Sequence, residues 1–228
     1  VRTLFRGRIL ASLLLVSSLV LLTGCIGTYS FNFVSEGDFE NEEGAWYVDS
    51  TGEVFYMEGL WAKDTYLTAP YGYKGDFTCT YESFVNTAAG SEIDWIYFVL
   101  LDDKFQDGVP VNKFFGFTIH NLGATGEEYS VWQGTTPWDY FNEDVVPPGL
   151  RNNEVNKLTI KKTGDEFSVS MNDEPLHTMT ILPGNMTEYW YPAINGTYDH
   201  SIPYGVYFRK LTVRYTKGNE MAAPWAFP

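Results

Sequence analysis

From about residue 29 onward, apolar side chains recur at every second position rather than every 3.6, in short aromatic and β-branched runs divided by clusters of Gly, Asn, Asp and Pro. This pattern predicts strands near 29–34, 46–49, 53–58, 65–68, 75–86, 92–101, 112–120, 128–133, 154–162, 165–171, 175–181 and 203–215. The dipeptides Gly164-Asp165 and Asn172-Asp173 separate three alternating segments, which makes 155–181 a three-stranded meander. No long stretch beyond residue 24 has the spacing of an amphipathic helix.

About a dozen antiparallel strands cannot form one open sheet without leaving an apolar face and both edges bare, so two packed sheets are expected. The length of segments 75–86 and 92–101, and the lack of a Cys…Trp…Cys spacing, favour an all-β, two-sheet antiparallel jelly-roll sandwich over an immunoglobulin sandwich. No Pro/Ser-rich linker, repeat or low-complexity block divides the chain after residue 24. A single domain over 29–216 with a C-terminal tail at 217–228 is therefore expected.

The first residues break the pattern. Arg2, Arg6 and Arg8 precede an apolar run from Ile9 to Leu22, and no acidic residue occurs before Glu36. A basic head followed by roughly 14 apolar residues is too short for a stable membrane span and matches a secretory signal peptide over 1–24. Leu22-Thr23-Gly24-Cys25 then resembles the bacterial lipobox. That resemblance implies cleavage ahead of Cys25 and lipid on its thiol, in a lipoprotein facing the periplasm or the cell exterior. Residues 25–28 would form a short tether of at most about 14 Å, with the domain close to the membrane.

Charge then changes meaning. The chain has 228 residues, 15 Lys+Arg, 29 Asp+Glu, a formal net charge of −14 and 17% aromatic residues, which argues against a nucleic-acid binder and against disorder. Removing residues 1–24 leaves 12 basic and 29 acidic groups, a net −17, which disfavours anionic polymers as ligands. With Cys25 lipidated, Cys79 lacks a disulfide partner. Flanked by Phe77 and Tyr81 at strand spacing, it reads as a small buried hydrophobe rather than a catalytic thiol.

The order of elements resembles a known superfamily. Trp46-Tyr47-Val48 with Gly52-Glu53-Val54, then Tyr66-Leu67-Thr68-Ala69-Pro70 and Tyr73-Lys74-Gly75-Asp76-Phe77, resemble the opening of concanavalin A-like lectin/glucanase jelly rolls. Asn156-Lys157-Leu158-Thr159-Ile160, Val169-Ser170-Met171-Asn172 and the final Val206–Val213 segment resemble its closing strands. Within that superfamily the similarity is nearest to the 3-keto-disaccharide hydrolase type domain. The scaffold carries glycosidases, lectins and adhesion modules, so the resemblance implies the fold and raises the expectation of sugars without deciding on catalysis.

Ser91-Glu92-Ile93-Asp94-Trp95-Ile96-Tyr97 is the sharpest candidate for chemistry. Strand residues two apart share a face, so Glu92 and Asp94 would point together about 7 Å apart, as a glycosidase carboxylate pair requires. The string also resembles the Glu-x-Asp-x-x-Glu motif of laminarinase and lichenase type hydrolases. That resemblance implies Glu92 as nucleophile and Asp94 as the assisting carboxylate. The acid/base glutamate falls on Tyr97, or on Ile96 in the shorter form of the motif, and a phenol near pKa 10 is a poor proton donor. The plainer reading makes Glu92 and Asp94 exposed strand residues, with Trp95, Tyr97 and Val99 facing the core.

Trp61, Trp132, Trp138, Tyr140, Trp190 and Tyr191 fall in or beside the expected loops. Within Trp132–Tyr140, flat rings suited to pyranose faces meet Gln133 and Asp139, whose side chains can bond hydroxyls. Trp132, Gln133, Trp138 and Tyr140 are therefore candidate ligand contacts, with loop packing as the competing reading. His120, His177 and His200 are far apart and suggest no transition-metal site. Asp102, Asp103 and Asp107 can supply oxygens to calcium but lack the ordered alternation of a calcium loop, so no cofactor is expected. Asn185 and Asn195 open formal glycosylation sequons, which carry little weight in a bacterial protein. The readings that result are a carbohydrate-binding lipoprotein with a neutral glycan or another cell-envelope component as partner, a glycoside hydrolase, or a non-catalytic assembly module.

Overall fold

The computed structural model describes residues 26–32, 46–48, 55–57, 67–85, 93–102, 114–122, 128–134, 136–142, 146–197 and 206–222. The expected signal segment 1–24, Cys25, Trp61, Glu92, Asp103, Asp107 and His200 lie outside them. The strands are β1 (Ile26–Asn32), β2 (Trp46–Val48), β3 (Phe55–Met57), β4 (Leu67–Thr68), β5 (Tyr71–Tyr73), β6 (Phe77–Val85), β7 (Ile93–Leu101) and β8 (Phe114–Leu122). They continue as β9 (Glu128–Gln133), β10 (Thr136–Asn142), β11 (Glu154–Thr163), β12 (Glu166–Met171), β13 (Glu174–Thr180), β14 (Tyr191–Thr197), β15 (Val206–Thr216) and β16 (Glu220–Ala222). The helical element among the described residues is a single 3₁₀ turn, Pro183–Asn185.

Two antiparallel sheets face each other as a jelly-roll sandwich. One runs β13-β12-β11-β6-β15-β3-β2, with β1 also paired to β15; the other runs β10-β9-β8-β7-β14-β4, and β16 and β5 form a small third ribbon. The core lies where inward positions meet: Phe77, Cys79 and Tyr81 of β6 and Leu158 and Ile160 of β11 oppose Phe98 and Leu100 of β7 and Phe115 and Phe117 of β8. Phe115 stacks on Phe167 at 4.2 Å between centroids, and Phe98 meets Tyr81 edge-on at 5.4 Å. Tyr81 also donates its hydroxyl to the carbonyl of Val99, 3.0 Å away, tying one sheet to the other through the core. Cys79 is fully buried and free, and burial pushes its thiol pKa well up, as suits a packing residue.

The 154–180 meander forms as the alternation predicts. Asn172 and Asp173 take φ values of 49° and 70°, the left-handed pair of a two-residue hairpin, and Gly164 takes 59° at the other turn. Asn172 donates to the carbonyl of Gly149 and to Oδ1 of Asn156, both at 2.8 Å, so the second turn also fastens the preceding loop.

Three expectations are corrected. The first strand begins at Ile26 rather than near Tyr29, because it pairs with β15 from Ile26 opposite Thr216 to Asn32 opposite Lys210. Residues 26–28, assigned to a tether, are thus in a sheet, and part of the assigned tail, Glu220–Ala222, pairs with β5. Segments 136–142 and 191–197, read as loops, are strands. Pro137 sits on edge strand β10, where a missing N–H costs little, and the carbonyl of Pro192 accepts from Ala69 N.

Candidate functional site

Strand β7 sits inside the six-stranded sheet and is apolar at both parities, so packing alone distinguishes its two sides. Phe98 and Leu100 enter the main core, whereas Val99 and Leu101 join Trp132 and Ala193 in a second apolar cluster on the sheet's other face. Val99, read as facing the core, thus packs in this second cluster rather than between the sheets, and strand alternation places positions 95 and 97 in its row.

Register then builds the outer face row by row. Trp132, Gly116, Val99 and Ala193 stand opposite one another across four strands. The next row holds Ser130, Thr118, Tyr97 and Asn195, and the one after it Glu128, His120, Trp95 and Thr197. The face passes from an apolar end to positions bearing phenol, amide, imidazole, carboxylate, indole and hydroxyl chemistry. These are the residue types that stack on a sugar ring and exchange hydrogen bonds with its hydroxyls.

Trp132 closes the apolar end. Its indole lies over Gly116, where an added Cβ would stand 2.7 Å from Cε2, and its Nε1 donates to Thr118 Oγ1 at 2.7 Å. Glycine at 116 is thus required by close approach, with Thr118, wholly buried, fixing the ring. Trp132 itself is only 9% exposed, so it forms a wall of the face rather than an open platform. Gln133 has a different task. Its Nε2 donates to the carbonyl of Thr180 at 3.0 Å, and its Oε1 accepts from Leu182 N at 2.8 Å and from Asn185 Nδ2 at 3.4 Å. The amide read as a hydroxyl partner clamps segment 180–185 onto the end of β9.

The remaining candidates are dispersed. Trp138 and Tyr140 lie on edge strand β10 rather than in a loop, Tyr140 opposite Val131, and the register shifts between Thr136 and Tyr140. Asp94 falls on β7, where alternation puts its position in the row of Phe98 and Leu100, on the core side of the sheet. Its companion Glu92 is outside the described residues. Trp190, wholly buried, packs edge-on against Phe167 at 5.2 Å and is a core residue. Among the described residues no group of three His, Cys, Asp or Glu is placed to hold a metal ion. Sequence reasoning passed over His120 because it sought a second histidine nearby; the signal that does find it is cross-strand register, which sets it between Trp95 and Glu128.

No protein-family model matches the sequence, and no curated protein matches it. Solved structures do. The legume lectin-like domain from Entamoeba histolytica superposes with a TM-score of 0.60 at 13% identity, covering 82% of this chain and 96% of that one. The lectin UEA-II, solved in complex with galactose, gives 0.58 at 12% identity over 82% and 98%. The β-glucanase of Bacillus licheniformis gives 0.54 at 13% identity over 84% and 98%. With its two antiparallel sheets, this chain has the concanavalin A-like jelly-roll fold.

Proposed function

We propose that the protein is a carbohydrate-binding lipoprotein of the cell envelope, held by lipid on Cys25, that receives a neutral glycan on the outer face of its six-stranded sheet. The observation that carries the binding reading is the register of that face, which lines up positions 95, 97, 120, 128 and 195 beside the Trp132 wall. Its support from likeness is that one of the structures sharing the fold is a lectin complexed with galactose and another is a legume lectin-like domain. A net charge of −17 after residue 24 favours uncharged sugars over anionic polymers. The anchor rests on the lipobox at Leu22–Cys25.

A glycan array probed with the protein tests the first part: binding to neutral glycans that falls on substitution of Trp95 or His120 by Ala is expected, and an array blank for every neutral glycan overturns it. For the anchor, Cys25→Ala should leave the membrane fraction and cease to incorporate palmitate. The second reading, a glycoside hydrolase of laminarinase or 3-keto-disaccharide hydrolase type, draws on the likeness to the β-glucanase. It requires Glu92 and Asp94 to act together, and the core-side row of position 94 weighs against that. Product release from a β-glucan that is abolished by Glu92→Gln would establish it instead.

A further inference from the structure

The outer face of the eight-stranded sheet is more open than the end of the other sheet built over around Trp132. Thr28, Ser30, Lys157, Lys161 and Arg214 are all exposed there. Hydroxyls run across its middle, with Ser30 3.2 Å from Thr212 and Thr80 3.3 Å from Thr159. Alternation gives this face four described basic residues, Lys157, Lys161, Lys210 and Arg214, against two acidic ones, Glu82 and Glu166. One pair, Lys157 with Glu82 at 3.8 Å, is internal. In a chain with 12 basic and 29 acidic groups after residue 24, a sheet face with a basic excess is a local inversion of sign.

The residue that follows the lipidation motif in the chain lies on this same face. Ile26 is paired with Thr216, shares its outward parity, and is 74% exposed, an unusual state for an isoleucine on a sheet. Cys25 is one peptide bond away, about 3.8 Å between Cα atoms. The start of β1 is also held firmly: Gly27 is buried beneath the ring of Tyr215, where a Cβ would lie 2.6 Å from Cζ, and Tyr215 packs on Tyr73 at 5.0 Å. A lipid at Cys25 therefore has almost no slack, and a sheet whose edge begins at the bilayer must lie near it.

We propose that the outer face of the eight-stranded sheet is a membrane-seating surface, lying on anionic lipid headgroups with Ile26 at the acyl boundary and with Lys161, Lys210 and Arg214 over the phosphates. This rests on the lipid-anchor reading. The net negative charge of the whole chain does not forbid it, because charges beyond a Debye length of about 8 Å are largely screened while those on the face act directly. The opposite sheet, which bears the proposed glycan face, is thereby turned toward solvent.

The test uses the full lipidated chain in vesicles of equal parts phosphatidylglycerol and phosphatidylethanolamine. One fluorophore is placed at Ser168→Cys, four strands and about 19 Å across the sheet from β1. Another goes at Gly184→Cys, where a Cβ meets open space. The Ser168 label should be quenched by nitroxide-headgroup lipid on the order of three-fold more strongly than the Gly184 label, and Lys161→Glu with Arg214→Glu should remove that difference while the protein still floats with the vesicles. Equal quenching of the two labels on a floating protein overturns the seating surface and leaves the anchor standing, and so does a difference indifferent to charge reversal. Protein that neither floats nor incorporates palmitate overturns the anchor and the seating together. Shielding that appears only when envelope proteins are added assigns the face to a protein partner and overturns the lipid.

Discussion

The two outward faces of the sandwich follow the same strand alternation and finish in opposite ways. On the six-stranded sheet, Val99, Leu101, Thr118, Ser130, Trp132 and Ala193 are each at most 9% exposed, so its outer face is part of the folded interior at one end. On the eight-stranded sheet most outward positions are hydroxyls and charges, exposed or half-buried, with Ile26, Phe84 and Val155 apolar among them. A strand such as β11, with inward Leu158 and Ile160 between outward Lys157, Thr159 and Lys161, needs one partner surface; β7 needs two. The difference teaches that the face proposed to hold sugar is partly built over, whereas the face proposed to seat on the membrane is left open.

The sharpest way to break this contrast is Trp132→Ala. Removing a buried indole that packs on Gly116 and bonds Thr118 should cost about 3–5 kcal/mol, as large-to-small changes of aromatic residues in cores do. Urea denaturation should show a midpoint shift far outside error with the slope m unchanged. A change below about 1 kcal/mol would mean that the indole is not held as described.

Gly116→Ala attacks the same contact from below. Its new Cβ would sit 2.7 Å from Cε2 and 2.8 Å from Cζ2 of Trp132, closer than packed carbons tolerate, and overpacking of this kind costs about 1–3 kcal/mol. Pairing it with Trp132→Ala sharpens the reading: if the clash is the cause, the glycine substitution should lose most of its cost once the ring is gone. Thr118→Val comes next. It keeps shape and β-branching but leaves the indole N–H without its 2.7 Å acceptor in a buried place, an expected loss of about 1–3 kcal/mol together with a change in tryptophan emission.

These contrasts also mark what was legible in the chain. The meander from β11 to β13 could be read because each strand has one wet side, so polarity alternates, and because Asn172-Asp173 demands a left-handed turn. Strand β14 could not, since Pro192 and Gly196 are residues that propensity assigns to loops, although its other neighbours pack it between β7 and β4. Nor could the face of β7, where Ile93–Leu101 is apolar almost throughout and period-two reasoning has nothing to separate. Both candidate sites suffered for that reason. Glu92 and Asp94 stood out as a spacing within one strand, whereas Trp95, His120 and Glu128 become neighbours only through pairing between β7, β8 and β9, which sequence spacing does not reveal.

The smallest effect belongs to the open face and is informative for being small. Replacing Thr80 and Thr159 by Val removes the hydroxyl pair 3.3 Å apart on adjacent strands while retaining branched side chains suited to a sheet. Both residues are half-buried, so the lost hydrogen bond is replaced in part by water, and each substitution should change stability by no more than about 0.5 kcal/mol. A double-mutant cycle in thermal unfolding should return a coupling of similar size. If instead the pair proved worth as much as Thr118, the outer surface of the eight-stranded sheet would be a second closed layer, and the contrast between a built-over face and an open one would fail along with the seating role proposed for it.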